Sequence, residues 1–497
     1  MADLSRLPLD PGEVLGAEVA KGLATLLGTA HPLHLTRELQ RGGVSGATVV
    51  AATIDDLVTR TGTQQLIVKF DPDPGIRAGG KQGKNDARRE AGEFRRHLAE
   101  HATSFVLESL GTLSFHKIVK DDLERWGPLS RDLPPHRRAA LLEEITRRIT
   151  VPWNQTQPDH QRVTPREAME ADLGVRIQPG GKIHQWATRR KLLDPARRWI
   201  TVGPGGGKLP NPFQLMTLTG PPVSTWYGPA HGDLHPGNVL VQLAGESVDF
   251  VLIDLDRYSS EAPLSRDPLH LLLTMLDWDL PDLGAAEKHA LIDLLVGEEG
   301  AGKPVHPDRR HLVEAYENAA AGGGGGGRGD LWRMRRRLSL VACALMFPVR
   351  LHTLKRDTWW WYVQLAGKAT EAVLRSMDIR LPDGEAVEVK PHQVVAERAE
   401  FSAGTDWDDL STVLKRTFFD PRSWRTFAVS AEELAALLEG PPPPVDGHSK
   451  AITSYFRKLR ILVQEGGDPE ASPQRVAMIA KDADMYRNVL IKLIERQ

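Results

Sequence analysis

The chain has 497 residues, 41% of them hydrophobic, and a formal net charge of −2. That balance supplies enough apolar material for real cores and shows no charge excess suited to nucleic acid or an anionic membrane. A single cysteine, Cys343, excludes an internal disulfide and any cysteine-based metal cluster. At about 150 residues per domain, the length fits roughly three domains, or one large bilobal unit with an appendage. No basic-then-apolar signal pattern opens the chain, and no apolar run approaches the ~20 residues of a membrane span. The expectation is a soluble, cytoplasmic protein with no nucleic-acid and no membrane partner.

Residues 1–30 read as a helical leader. Val14, Leu15, Val19, Leu23, Leu26 and Leu27 recur at helical spacing from Pro11 through Leu27, and the leader is expected to pack on the body of the protein. Strands are predicted over Leu33 to Leu39 and Ala47 to Ala52, joined by Arg41-Gly42-Gly43-Val44-Ser45-Gly46. In such a strand–turn–strand unit, Gly42, Gly43, Ser45 and Gly46 let backbone N–H groups approach phosphates with no Cβ in the way. A third apolar strand, Gln65 to Phe70, carries Lys69 near its end.

A Gly-, Asp- and Lys-rich loop follows, and the pattern then predicts a helix from Asn85 to His101 with Ala87, Ala91, Phe94 and Leu98 as its apolar stripe. At about 100° per residue, Glu90 falls roughly 70° from the centre of that stripe and Glu93 roughly 130°. Glu90 is therefore better placed to turn inward, with Glu93 the alternative and a solvated role open to both. Phe105 to Leu110 and Leu113 to Val119 are expected to complete a small antiparallel sheet. From Asp121 the pattern turns helical, with one amphipathic helix over Pro134 to Ile149. Residues 151–228 are harder to read. The basic runs Arg189-Arg190-Lys191 and Arg197-Arg198 fit a solvated face. Val202 to Lys208 fails as a P-loop, because its glycine spacing is wrong and no Ser or Thr follows the lysine.

The most informative stretch is His231-Gly232-Asp233-Leu234-His235-Pro236-Gly237-Asn238-Val239-Leu240-Val241, followed by Phe250-Val251-Leu252-Ile253-Asp254-Leu255-Asp256. The residues between them suit a hairpin turn around Gly245-Glu246-Ser247. Pairing the two strands brings Asp233, Asn238 and Asp254 to one end of the hairpin. Two carboxylates and an amide form a hard-oxygen set suited to Mg²⁺ carrying phosphate groups.

HGDLHPGN followed by IDLD resembles the catalytic and metal-binding loops of the aminoglycoside phosphotransferase and choline kinase branch of the kinase-like fold. In that branch H-R-D-x-x-x-x-N becomes H-G-D-x-x-x-x-N, and D-F-G is reduced to an Asp after an apolar strand. The resemblance implies an α+β, bilobal fold: a small antiparallel β-sheet lobe plus one helix over 31–120, and a larger, mainly helical lobe over 121–380. It implies that Asp233 is the base or orienter for an attacking hydroxyl, and that Asn238 and Asp254 hold Mg²⁺. It also implies that Lys69 and the loop of Gly42, Gly43, Ser45 and Gly46 hold the phosphates of ATP, with Glu90 paired to Lys69. The expected activity is transfer of the γ-phosphoryl of ATP to a hydroxyl acceptor, on a small molecule or a protein. A kinase-like scaffold that senses nucleotide and acts through its C-terminal helices is the alternative, and nucleotidyl transfer stays open.

Further along, Asp256 is open to a metal contact or to solvent. By the resemblance, Asp267 ties the next helix to the catalytic loop, and it is also a predicted N-cap with Pro268 at the first helical position. Helices are expected to Met377, interrupted by Gly322 to Gly327, with Trp359-Trp360-Trp361-Tyr362 in the core. Residues 381–400 read as a connecting segment, with a β-hairpin over Leu381 to Val395. Residues 401–497 read as a small helical domain that distantly resembles the adaptor domains of bacterial multi-domain signalling and defence proteins. It is a candidate contact for a protein partner.

Overall fold

The computed structural model describes residues 10–15, 19–21, 23, 25, 33–41, 48–56, 62–71, 87–107, 111–117, 125–154, 159–203, 207–218, 220–298, 304–322, 329–350, 353, 356–389 and 486. The chain divides into two compact units, residues 1–389 and 390–497. The adaptor-like domain expected over 401–497 lies outside the described residues apart from Tyr486, as does the predicted phosphate loop of Gly42, Gly43, Ser45 and Gly46.

Five strands form the small lobe: β1 (Leu33–Arg41), β2 (Thr48–Asp56), β3 (Gly62–Asp71), β4 (Glu100–Leu107) and β5 (Gly111–Lys117). They pair antiparallel in the order β1-β2-β3-β5-β4. Side chains alternate across a strand, and β3 uses that to serve two layers. Leu66, Val68 and Phe70 join Leu35, Val50, Ala52, Leu113 and Phe115 on one face. Leu15, Val19 and Leu23 of the leader close over that face, and α1 (Pro11–Leu15) begins this cover. Ile67 lies on the other face with Val49, Ala51, Trp126, Leu240, Val251 and Ile253. Lys69, two residues on from Ile67, faces the same way.

The helix predicted over Asn85 to His101 is shorter than its pattern suggests. A single turn at 87–90 gives way at Gly92, whose φ is 51°, to a 3₁₀ segment at Gly92–His97, and β4 begins at Glu100. A left-handed glycine ends an α-helix because the next N–H no longer points back along the axis. The predicted stripe is nevertheless correct: Ala87, Ala91, Phe94 and Leu98 are all buried.

The larger lobe is mainly helical: α2 (Pro135–Thr150), α3 (Pro165–Leu173), α4 (Lys182–Arg189), α5 (Arg266–Asp277), α6 (Ala285–Val296), α7 (Pro307–Gly322), α8 (Gly329–Leu345) and α9 (Trp359–Ser376). It also carries short strands: β6 (Trp126–Pro128), β7 (Asp159–Val163), β8 (Trp199–Val202), β9 (Leu209–Pro210), β10 (Val223–Ala230), β11 (Val239–Gln242), β12 (Phe250–Leu252), β13 (Ser259–Pro263) and β14 (Ala386–Val389). Strands β7, β8, β9 and most of β10 fall in the stretch that sequence left unread. Strand β14 pairs parallel with β8, and the second half of the hairpin expected over Leu381 to Val395 lies outside the described residues. Trp359, Trp360, Trp361 and Tyr362 are buried as expected, with Tyr362 stacked on Phe347 at 4.1 Å.

A buried polar network braces this lobe. Arg335 of α8 makes two 2.8 Å hydrogen bonds to Asp172 of α3, and both side chains are almost wholly inaccessible. Ser339 donates to Asp172 and contacts Ser265, the residue before α5. Among the described residues no helix is long and apolar enough to cross a membrane. The described unit is an α+β, bilobal, kinase-like fold.

Candidate active site

The predicted hairpin is present. Val239, Leu240 and Val241 pair antiparallel with Leu252, Val251 and Phe250, and β6 adds a third strand. The loop before β11 carries Asp233 and a 3₁₀ turn at Pro236–Asn238, and Asp254 stands two residues beyond the end of β12. Cross-links fix the two loops to each other. The Asn238 side-chain amide donates to the Asp233 carbonyl at 2.9 Å, and Ile253 N–H donates to the Asn238 carbonyl at 3.0 Å. His231 donates through Nε2 to the Ile253 carbonyl at 2.8 Å, and its Nδ1 accepts from Asp233 N–H at 3.3 Å. Asp254 itself sits in the left-handed region, with φ 61° and ψ 56°. That conformation is strained for a non-glycine residue and recurs where backbone is fixed for chemistry.

Gly232 is where the two loops touch. Its φ is 82°, and a Cβ built on it would lie 1.9 Å from the Arg257 carbonyl oxygen. The Gly232 N–H donates to Asp267 Oδ2 at 2.9 Å, while Arg266 donates to the Gly232 carbonyl at 2.7 Å. Asp267 therefore ties α5 to the loop of Gly232 and Asp233 as expected, but it is not the N-cap. The helix begins one residue earlier, behind Ser265, and no side chain caps it.

Lys69 is buried and points at the loop of Asp254 and Asp256. Its Nζ lies 2.6 Å from Asp254 Oδ1 and 3.1 Å from Asp256 Oδ2. Asp256 thus neither faces solvent nor stands apart, because it shares the lysine with Asp254. The predicted Lys69–Glu90 pair is absent. Glu90 is exposed and accepts from the Tyr258 hydroxyl at 2.8 Å, with Arg89 nearby. The physical reason is that Asp254 and Asp256 take the lysine, while the Tyr258 hydroxyl holds Glu90. Glu93 is exposed. The 87–98 segment meets the hairpin by another route: Ala99 N–H donates to the Leu252 carbonyl, and Phe94, Trp153 and Tyr258 form a stack.

Sequence reasoning missed the basic side chains around Asp233. Arg257 Nε lies 3.6 Å from Asp233 Oδ2, and Arg176 lies 3.8 Å from Oδ1. Burial works against the charge of Asp233, but its neighbours, Arg257 foremost, outweigh it and hold the carboxyl well below the usual carboxylate range. Arg176 is lowered to about 10, by burial first and then by Arg266 and Arg257, so it stays charged at neutral pH. No periodicity could have flagged Arg176, which rides on a 3₁₀ turn at Gly174–Arg176 some 57 residues before Asp233. Arg257 stood in plain view beside the motif, but nothing in the motif assigns it a role.

His270 on α5 supports the loop that carries Asp233. Burial, reinforced by Arg350, pushes it well below its ordinary value, so the ring is neutral. It donates through Nδ1 to the Leu234 carbonyl at 2.7 Å and accepts from Arg350 at Nε2. An unfolded histidine takes up a proton near pH 6.5, whereas this one does not, so native stability is full above that pH and falls as the pH drops below it. The slope is at most about 1.4 kcal/mol per pH unit for one such site. Thermal melts at pH 7.5 and 5.5 are expected to show a stability loss that His270→Gln reduces. Equal losses in both proteins would assign the effect to other groups.

The donor set fits a hard cation shared with phosphate. The Asn238 amide nitrogen is engaged, which leaves its carbonyl oxygen as the ligand atom, and Asp254 already holds a cationic ammonium. Among the described residues no cluster of three or more His, Cys, Asp or Glu could hold a metal by itself. Phosphate oxygens would therefore have to complete the shell.

No protein-family profile matches the sequence, and comparison with curated proteins finds no match. Among solved structures, the chain is similar to an aminoglycoside-3'-phosphotransferase of type VIII, at 16% identity and a TM-score of 0.33. The match covers 65% of this chain and 98% of that one, an overlap too loose to carry an argument of its own.

Proposed function

We propose that this chain is a phosphotransferase that moves the γ-phosphoryl of ATP, with Mg²⁺, to a hydroxyl acceptor. The observation that carries the reading is the meeting of Lys69, Asp254, Asn238 and Asp233 at one end of the β11–β12 hairpin, beneath the small-lobe sheet. In this reading Lys69 exchanges a carboxylate partner for phosphate oxygens. Asn238 and Asp254 hold Mg²⁺, which supplies charge neutralisation on the phosphates. Asp233 accepts a hydrogen bond from the acceptor hydroxyl and fixes its line of attack. The acceptor oxygen bonds to the γ-phosphorus as the bond to the β,γ-bridging oxygen breaks. ADP leaves, and the hydroxyl proton passes to Asp233 and on to solvent. Little covalent help is needed, since positioning and electrostatics supply most of the catalysis.

The test is calorimetric titration with ATP, with and without Mg²⁺, beside release of labelled γ-phosphate. Wild type is expected to bind ATP in a Mg²⁺-dependent way. Asp254→Asn is expected to weaken Mg²⁺-dependent binding roughly 10- to 100-fold, the worth of a charged contact. If wild type binds no nucleotide, the reading falls.

A further inference from the structure

The arginines around Asp233 narrow the acceptor. Among the groups acting most strongly on Arg176 are three other arginines, Arg266, Arg257 and Arg350. Two of these four are spent on the fold: Arg266 binds the Gly232 carbonyl, and Arg350 binds His270 and lies over the Phe347 ring. Arg176 and Arg257 are not. Among the described residues neither makes a hydrogen bond, and their contacts with Asp233, at 3.8 and 3.6 Å, are longer than one. They flank opposite oxygens of the same carboxylate. Arg176 is only 22% exposed, so its guanidinium has given up much of its water for an ion pair with Asp233 that is too long to be a hydrogen bond.

The turn that bears Arg176 is firmly built. Ile177 N–H donates to the Gly174 carbonyl, and Gly181 packs so closely that a Cβ there would lie 2.5 Å from the Arg176 carbonyl oxygen. The acidic side of the site offers no relief, because Asp254 and Asp256 share Lys69. Building on the phosphotransferase reading, we infer that the acceptor carries an anionic group, a phosphate or a carboxylate, beside its reacting hydroxyl, and that Arg176 and Arg257 grip that group. Guanidinium donors match both anions in forked geometry. A cationic acceptor such as an aminoglycoside or a choline-like alcohol would meet like charge on both sides of Asp233. The transfer itself is unchanged: the hydroxyl oxygen gains the phosphoryl group, ADP leaves, and the anionic group is only an anchor.

The γ-phosphoryl is a rival claimant for the same two arginines, so the experiment fills its place first. Full-length protein is saturated with Mg²⁺ and a non-hydrolysable ATP analogue, then titrated with glycerol 3-phosphate, glycerate, glycerol, choline and kanamycin. The anions are expected to bind, and glycerol, choline and kanamycin are not. Arg176→Gln and Arg257→Gln are each expected to weaken the anions about tenfold or more, with a far smaller change for the nucleotide analogue. Arg257→Lys should recover part of the loss, and circular dichroism will show whether each variant is folded.

Three results would overturn the assignment. In the first, the nucleotide-loaded protein binds no anion. In the second, kanamycin or choline binds more tightly than the anions. In the third, the Gln variants lose the nucleotide analogue rather than the anion, which would hand the arginines to the γ-phosphoryl. Failure of the nucleotide analogue to bind at all is a different outcome. It removes the phosphotransferase reading, and this inference with it.

Discussion

Asp233→Asn is expected to cut γ-phosphoryl transfer by about 10²- to 10⁴-fold, the usual worth of a positioned acid–base group. Nucleotide affinity should stay near that of wild type. The substitution keeps the size of the side chain and its backbone bonds to His231 and Asn238. It removes the charge and one acceptor oxygen. Asn still presents a carbonyl, but it cannot take the hydroxyl proton, and it leaves Arg176 and Arg257 facing a neutral group. Because its surroundings, Arg257 foremost, hold Asp233 well below the usual carboxylate range, its protonation should impose no acid limb on turnover between pH 5 and 8. A kcat profile that falls below pH 6 in wild type, with stability unchanged, would contradict that. Single-turnover rates beside ATP titrations separate the effect on chemistry from one on binding.

The largest stability effect is expected at Gly232→Ala. A left-handed residue with a Cβ costs about 1–2 kcal/mol by itself. Here the Cβ also meets the Arg257 carbonyl at 1.9 Å, and forcing atoms into packed space adds about 1–3 kcal/mol. Escape is blocked on both sides, since Asp267 holds the Gly232 N–H and Arg266 holds its carbonyl. The strain must therefore move the 255–257 turn, and Asp254 with it. A shift of about 1 Å can cost roughly 10²-fold in rate. Gly245→Ala is the control, because it has the same sign of φ, at 75°, but nothing within 4 Å of the added carbon. Denaturant melts should separate the two clearly, and equal losses would mean that the Gly232 contact is not tight.

The convergence of the hairpin residues was legible because it is local. Asp233, Asn238 and Asp254 lie within 22 residues, and the pairing of two short apolar strands fixes how they converge. Lys69 was legible from its place at the end of an apolar strand that follows a Gly-rich turn. Glu90 was not. The helical period gives a direction and not a partner, and the lysine is taken by Asp254 and Asp256. The arginines at 176 and 257 were hidden for a different reason. Their proximity to Asp233 depends on how a 3₁₀ turn and a one-residue contact at Gly232 are placed by the whole lobe. Short strands such as β7 and β14 gain their partners from distant chain, so no window around them holds the signal.

The Asp172–Arg335 pair joins residues 163 positions apart, and through Ser339 and Ser265 it steadies the start of α5 and so the clamp on Gly232. A chain emerging from the ribosome exposes the hairpin of residues 231–254 well before it exposes Arg335. Domains tend to fold as units during synthesis. Until α8 arrives, Asp172 is a carboxylate without its cation, and the lobe has reason to stay open around it. The loops of Asp233 and Asp254 are thus expected to settle only once most of the lobe has been made. A nascent or prematurely ended chain would carry every residue of the HGDLHPGN motif and still lack the brace that gives it a working shape.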